Sequence, residues 1–208
     1  MSRCESKSQY SMSFTTGGLF YNESLLIVDE YFVTTDWDLT RKSVFTKNSI
    51  QSRTESSVKR RIREICSRLE LLSEQQLSLI KNGSRQEQQY LLWLAICKRY
   101  AFIHDFAVEV IREKFLRMDL FLTLQEYNTF FAAKAGWHDE LEQLQPSTHA
   151  KLRQVLFKML READILSDAN AIIPALLTPE LAQTIVTENP ELLRVFPISD
   201  MDIQAWLK

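Results

Sequence analysis

Three histidines, His104, His138 and His149, are the first residues to test for chemistry. None falls in an H-x-H or H-E-x-x-H spacing, the patterns that aim two imidazoles at one metal ion. His104 and Asp105 are sequence neighbours, and on a helix they point about 100° apart, so they do not form a dyad by default. The plainer reading is a partly buried polar pair. Asp36-x-Asp38 and Asp200-x-Asp202 could hold a hard cation, but both stand at predicted helix starts, where carboxylates are favoured by free backbone amides. His138-Asp139-Glu140 reads as a solvated loop. There is no Gly-rich phosphate cradle and no G-x-S-x-G elbow. A metal-dependent nuclease would need clustered carboxylates. Asp105, Glu109 and a third acid would be the place to look for them. The expectation is a non-enzymatic protein with no catalytic residues, no metal, no cofactor and no small-molecule substrate.

Charge is more informative. Between Leu39 and Arg63 stand Arg41, Lys42, Lys47, Arg53, Lys59, Arg60, Arg61 and Arg63 against Glu55 alone, a net +7 in a chain whose total is -2. Such asymmetry points to a side that faces a polyanion. Ser52-x-x-Glu55 fits a capping box, and the helix it opens carries Val58, Ile62, Ile65, Leu69 and Leu72 as one apolar stripe. With Val58 at 0° and 100° per residue, Arg63, Arg60 and Arg53 fall at about 140°, 200° and 220°, among Ser56 and Ser67. Lys59 and Arg68 flank them. Arginine forks grip phosphate oxygens with two bonds, and serine hydroxyls suit backbone contacts. A second basic face lies on the predicted helix 147–163, where Lys151, Lys158 and Arg161 oppose Leu152. The candidate nucleic-acid contacts are therefore Arg41, Lys42, Lys47, Arg53, Lys59, Arg60, Arg63, Arg68, Lys151, Lys158 and Arg161. Binding through them would be strongly salt-dependent and mostly sequence-independent. The blander reading is a solvated basic helix that binds nothing, which the near-neutral total favours.

The elements that would position these residues are helical. The chain has 208 residues, 45% hydrophobic and 25% charged, with only 4 Gly and 5 Pro. So few turn formers exclude a sandwich, a barrel or a doubly wound sheet. The pattern predicts an all-α single-domain bundle. Ser73-x-x-Gln76, Ser84-x-x-Glu87 and Thr123-x-x-Glu126 are further helix starts. Tyr90 to Leu116 is apolar around most of its circumference, so it should be a central helix, bent or broken near His104. Leu19, Leu26 and Tyr31 are core candidates of a first helix. A short β-hairpin is allowed near 165–173. Residues 1–13 read as a flexible tail, 14–185 as the helical domain and 186–208 as a C-terminal helical extension. The stretch Asp164 to Lys208 is acidic, and with Phe196 and Trp206 it could form a partner surface. Cys4, Cys66 and Cys97 read as reduced thiols, two of them buried. The longest apolar run, Tyr90 to Cys97, is too short to span a bilayer, and the N-terminus has no signal-peptide core, so a cytoplasmic protein is expected.

Several segments also carry a likeness. They are Thr16-Gly17-Gly18-Leu19 with Glu23-Ser24, Asp36-Trp37, Lys59-Arg60 to Arg68-Leu69, Asp105 to Val110 with Arg112-Glu113-Lys114, and Thr148-x-x-Lys151 to Ala163. In order and spacing the chain resembles the BrxA family of the BREX bacteriophage-exclusion systems. The resemblance implies an all-helical fold similar to the NusB antitermination protein. It also implies a non-enzymatic accessory role in phage defence, with double-stranded DNA, or RNA, and other BREX proteins as partners. Assembly of those proteins is the alternative role. The family has been labelled inner-membrane, and the hydropathy argues against that.

Overall fold

The computed structural model describes residues 9–15, 17–47, 49–50 and 54–207. Among them lie twelve α-helices and no sheet: α1 Tyr21–Thr34, α2 Trp37–Thr46, α3 Glu55–Leu69, α4 Glu74–Asn82, α5 Arg85–Arg99, α6 Ala101–Phe106, α7 Glu113–Leu116, α8 Leu124–Ala135, α9 Asp139–Glu142, α10 Pro146–Glu162, α11 Pro179–Glu188 and α12 Asp200–Trp206. A π-helical turn, Ala107–Arg112, joins α6 to α7, and a 3-10 segment, Pro190–Val195, follows α11.

Helix starts follow the side-chain chemistry of their caps. Ser73 with Gln76, Ser84 with Glu87 and Thr123 with Glu126 each close a reciprocal capping box, as their spacing predicts. Ser199 and Asp202 close a fourth. Helix α3 departs from expectation. Its N-cap is Thr54, which accepts from the Ser57 amide, and the chain turns helical only at Glu55. Glu55 instead holds Lys59 at 2.5 Å. Ser52 lies outside the described residues.

Helix α5 is the centre of the bundle. Every residue from Tyr90 to Cys97 is buried, and α1, α3, α4, α10 and the 190–195 segment pack around it. A helix apolar on all sides needs such a sheath. The long apolar stretch does break, but at Tyr100 rather than near His104. Tyr100 takes an extended backbone, φ -124° and ψ 97°. Its ring is fully buried against Phe14, and its hydroxyl donates to Glu64 of α3. Burial, and then the Glu64 carboxylate, push that hydroxyl's pKa up to about 12. An uninterrupted helix has to give way for the tyrosine to make this contact.

Two boundaries and one core assignment differ from the sequence expectation. The tail expected over 1–13 already belongs to the core at Tyr10, which is buried, donates its hydroxyl to Asp105 Oδ2 at 2.5 Å and its amide to Glu140 Oε1 at 2.6 Å. The extension expected over 186–208 is helical but not peripheral. Leu193, Val195 and Phe196 are fully buried, and Trp93 Nε1 of α5 donates to the Val195 carbonyl at 3.0 Å. Leu26 is exposed, so it is not a core residue.

The hairpin near 165–173 forms as isolated bridges rather than strands. Leu166 pairs with Ile172, and Ala171 pairs with Phe121. Asn170 takes the left-handed conformation, φ 62°, at the turn. Cys66 and Cys97 are buried, as expected, and Cys4 lies outside the described residues. Burial pushes the Cys66 thiol up to about 11 although Arg41 opposes the shift, so it stays protonated at neutral pH. Among the described residues no helix is long and apolar enough to cross a membrane.

Candidate nucleic-acid interface

Helices α2 and α3 pack side by side and present one cationic face. Lys42 of α2 and Arg60 and Arg63 of α3 are exposed, and none has an acid partner among the described residues. Between the helices lies a shallow groove of about 240 Å³ with Phe45 and Ile62 as its apolar floor and Arg41, Lys42, Lys59 and Arg63 as its rim. Lys59 Nζ sits 4.7 Å from the centre of the Phe45 ring. Cations around an exposed aromatic edge can contact phosphates while the ring meets sugar or base. The stripe of α3 turned inward is the predicted one, with Val58, Ile62, Ile65 and Leu69 all buried.

Not every predicted cation is available. Arg41 lies 2.7 Å from Asp38 and also pairs with Glu70. Lys47 lies 2.6 Å from Glu30, and together with Ser43 it holds the Glu30 carboxyl below the usual range. Arg68 cannot contact a ligand at all. Its side chain is 4% exposed, its Nε donates to Glu64 at 2.8 Å and its Nη1 donates to the Gly18 carbonyl at 2.9 Å. The guanidinium is packed between the Phe20 and Tyr100 rings, at 5.4 and 5.8 Å. At 280° on the helical wheel it borders the apolar stripe, and its carboxylate partner stands one turn earlier, where side chains meet. Arg53 lies outside the described residues.

The second basic helix, α10, shares a cleft with α3 through Arg61, apart from Arg60 and Arg63. Lys151 is exposed and donates to Gln154 at 3.1 Å. Lys158 lies 3.6 Å from Glu162, and Arg161 donates to Asn170 Oδ1 at 2.6 Å with its guanidinium over Phe157. Phe157 itself is buried in the core. Lys158 and Arg161 line one cleft of about 520 Å³ together with Arg61 of α3 and Arg85 of α5. The cleft opens beside the start of α1, at Phe20 and Tyr21. Sequence reasoning missed Arg61 and Arg85 as site residues. Arg61 sits at about 300° on the wheel, close to the apolar stripe. Arg85 is an isolated cation behind a helix cap, and nothing in its surroundings marks it.

The residues set aside in the catalytic search are tied into the fold. Asp36 caps α2 by accepting from the Leu39 amide at 2.8 Å. Asp200 lies 2.6 Å from the buried Arg112. His138 and Glu140 are not a solvated loop: the His138 ring lies 4.1 Å from that of Tyr10, and its Nδ1 is 3.2 Å from Glu140. His104 Nδ1 and Asp105 Oδ1 are 3.1 Å apart. Burial alone would raise the Asp105 pKa, but His104, the Tyr10 hydroxyl and Lys134 bring it below the usual range. Lys134 Nζ sits between Asp105 and Glu109, at 3.6 and 2.6 Å. An ammonium thus stands where two of the carboxylates of a nuclease centre would have to meet a metal. No group of three potential metal ligands occurs among the described residues.

Comparison with known proteins adds the following. The family model described as BrxA matches residues 8–189. A Bacillus cereus protein named BREX protein BrxA is 27% identical over 128 residues, 62% of this chain and 64% of its own length. An Escherichia coli protein of the same name is 27% identical over 147 residues, 71% of this chain and 69% of its own length. About a third of each relative thus lies outside the match. The crystal structure of an uncharacterized protein from Magnetospirillum magneticum superposes with a TM-score of 0.78 at 20% identity, covering 91% of this chain and all of that one. That likeness concerns the fold.

Proposed function

Starting from the fact that the chain belongs to the BrxA family, we propose that it is a non-enzymatic accessory protein of a BREX phage-defence system and binds double-stranded DNA. The observation that carries this reading is the exposed set Lys42, Arg60 and Arg63, without acid partners among the described residues, of which Lys42 and Arg63 rim the Phe45 groove. Lys59 contributes in part, because Glu55 shares its charge. Lys151, exposed on α10, is a second and separate basic contact. These side chains would grip phosphate oxygens, which gives affinity without base reading. Arg41 and Lys47 serve as flanking charges whose carboxylate partners must first be displaced.

Fluorescence anisotropy with a labelled duplex, titrated across a salt series, tests the proposal. Affinity should fall steeply with salt, and reversing Arg60 and Arg63 to Glu should weaken it at every salt concentration. Absence of binding at low salt, or equal affinity of the reversed protein, rejects it. The same titration with a duplex RNA of equal length decides which nucleic acid is preferred.

A second reading, assembly with other BREX proteins, is favoured by one observation. Leu176 and Met201 are 80% and 84% exposed, and Leu176 borders a small groove beside the half-buried Trp206. Phe196, named above as part of such a surface, is fully buried and cannot contribute. Leu176→Ser with Met201→Ser should abolish co-purification with BREX components if this surface docks them.

A further inference from the structure

The cleft between α3, α5 and α10 differs in kind from the α2–α3 face. It is concave and of small-ligand size, about 520 Å³. Three helices aim cations into it: Arg61 from α3, Arg85 from α5, and Lys158 and Arg161 from α10. Two carboxylates, Glu23 and Glu162, line it as well. Both are already engaged, Glu23 with Arg61 at 3.2 Å and Glu162 with the Leu19 amide at 2.6 Å and with Lys158 at 3.6 Å. Arg85 has no acid partner among the described residues and lies over the Tyr21 ring at 5.4 Å. Arg161 is held by an uncharged amide, Asn170, so its positive charge is also uncompensated by a direct partner. The balance of the lining is two positive charges. A phosphomonoester carries about -1.5 to -2 at neutral pH and three acceptor oxygens.

The backbone adds to this. Phe20 precedes α1 in the left-handed conformation, φ 57°, and offers no capping side chain, so the first turn of α1, which lines the cleft, has no side-chain cap. The protein's own Glu162 has already settled next to it, on the Leu19 amide. The carboxylate comes close to the backbone at Gly18: a Cβ there would lie 2.6 Å from Glu162 Oε2, so the carboxylate would have to shift.

We propose that this cleft is a binding site for a phosphomonoester, the terminal phosphate of a nucleotide or of a nucleic-acid end. Arg85 and Arg161 bind the phosphate oxygens and supply the two positive charges, while Lys158 keeps its pair with Glu162 at the rim. The site goes beyond the duplex-binding face and does not depend on it, since Lys42, Arg60 and Arg63 do not line the cleft.

Isothermal titration calorimetry on the full chain tests the site with inorganic phosphate, adenosine 5′-monophosphate and adenosine. The monophosphate should bind at least tenfold more tightly than adenosine. Arg85→Glu should remove that difference. The substitution places an acid in the first turn of α5, where it favours the helix, so the melting temperature should hold. Lys158→Gln, at an exposed position, provides a second variant, with a smaller loss. Binding should weaken as pH falls from 7 to 5.5, because the second phosphate pKa is near 6. A 5′-phosphorylated oligonucleotide compared with its 5′-hydroxyl counterpart separates the sources. A preference for the phosphorylated end points to nucleic-acid termini, and its absence alongside monophosphate binding points to a free nucleotide; either supports the site. Equal affinity for the monophosphate and adenosine, or unchanged monophosphate affinity in Arg85→Glu, overturns it. Arg60→Glu with Arg63→Glu should leave monophosphate binding intact, so failure of the duplex reading and failure of this one are read separately.

Discussion

Arg60 and Arg68 stand two turns apart on α3 and have opposite fates. Arg60 faces solvent with no acid partner among the described residues, while Arg68 is enclosed by Glu64, the Gly18 carbonyl and two aromatic rings. The residue type is the same, and so is the helix. What differs is that Arg68 borders the buried side of α3, where Glu64 one turn earlier pairs with it and Phe20, Tyr100 and the Gly18 carbonyl from outside the helix enclose it. A net charge counted along a sequence therefore overstates the charge offered to a ligand. Here Arg41, Lys47 and Arg68 are drawn into the protein's own pairs, and Lys42, Arg60 and Arg63 are left over.

This contrast is sharpest in stability. Arg68→Ala should lower unfolding free energy by about 3 kcal/mol in urea melts, because it empties a buried site between Phe20 and Tyr100 and leaves the half-buried Glu64 without its cation. A change below about 1 kcal/mol would show that Arg68 is a surface residue after all. Arg60→Glu with Arg63→Glu should behave in the opposite way. Stability should stay within about 0.5 kcal/mol of the parent. Duplex affinity should drop at least tenfold, and the salt slope should fall by about 2, one for each lost phosphate contact.

The pairs can also be opened deliberately. Glu30→Gln frees Lys47 on the flank of the α2–α3 face, and duplex affinity should rise about twofold to threefold, an effect that fades with salt. The smallest effect concerns His149. Its ring packs on Phe131 at 4.1 Å, its buried Nε2 has no hydrogen-bond partner among the described residues, and burial, with Arg153 nearby, lowers its pKa. A base whose folded pKa is depressed contributes stability that is fully present above its unfolded pKa, near 6.5, and lost as pH falls through the folded value. Melting temperature should thus decline between pH 7 and pH 5, and His149→Phe should decline less.

The sequence made several local features legible because they are encoded within one or two turns. Ser73, Ser84 and Thr123 announce their helices through a partner three residues on. The apolar surround of α5 follows from Tyr90 to Cys97 alone. The pairing of Arg68 with Glu64 was within reach of the same logic, being one turn apart. Arg41 with Glu70, Lys47 with Glu30 and Arg61 with Glu23 were not. They join residues from different helices, and no local period carries that information. The helix break at Tyr100 escaped for a similar reason, since the contacts that fix it, Glu64 and Phe14, come from elsewhere in the chain. The BrxA likeness was visible in ordered segments, yet it left the cleft and its Arg85 undetected, because a concavity exists only once three helices are assembled.

The indole of Trp93 also sets a timetable. It lies in the most enclosed helix of the bundle, and its nitrogen is satisfied by the carbonyl of a residue more than a hundred positions later. While the chain is emerging from a ribosome, that helix has no lid, and its apolar side toward Val195 and Phe196 stays open to chaperones or to wrong neighbours. Closure must await synthesis of Val195 and Phe196, so α2 and α3 are made long before the scaffold that holds them is complete.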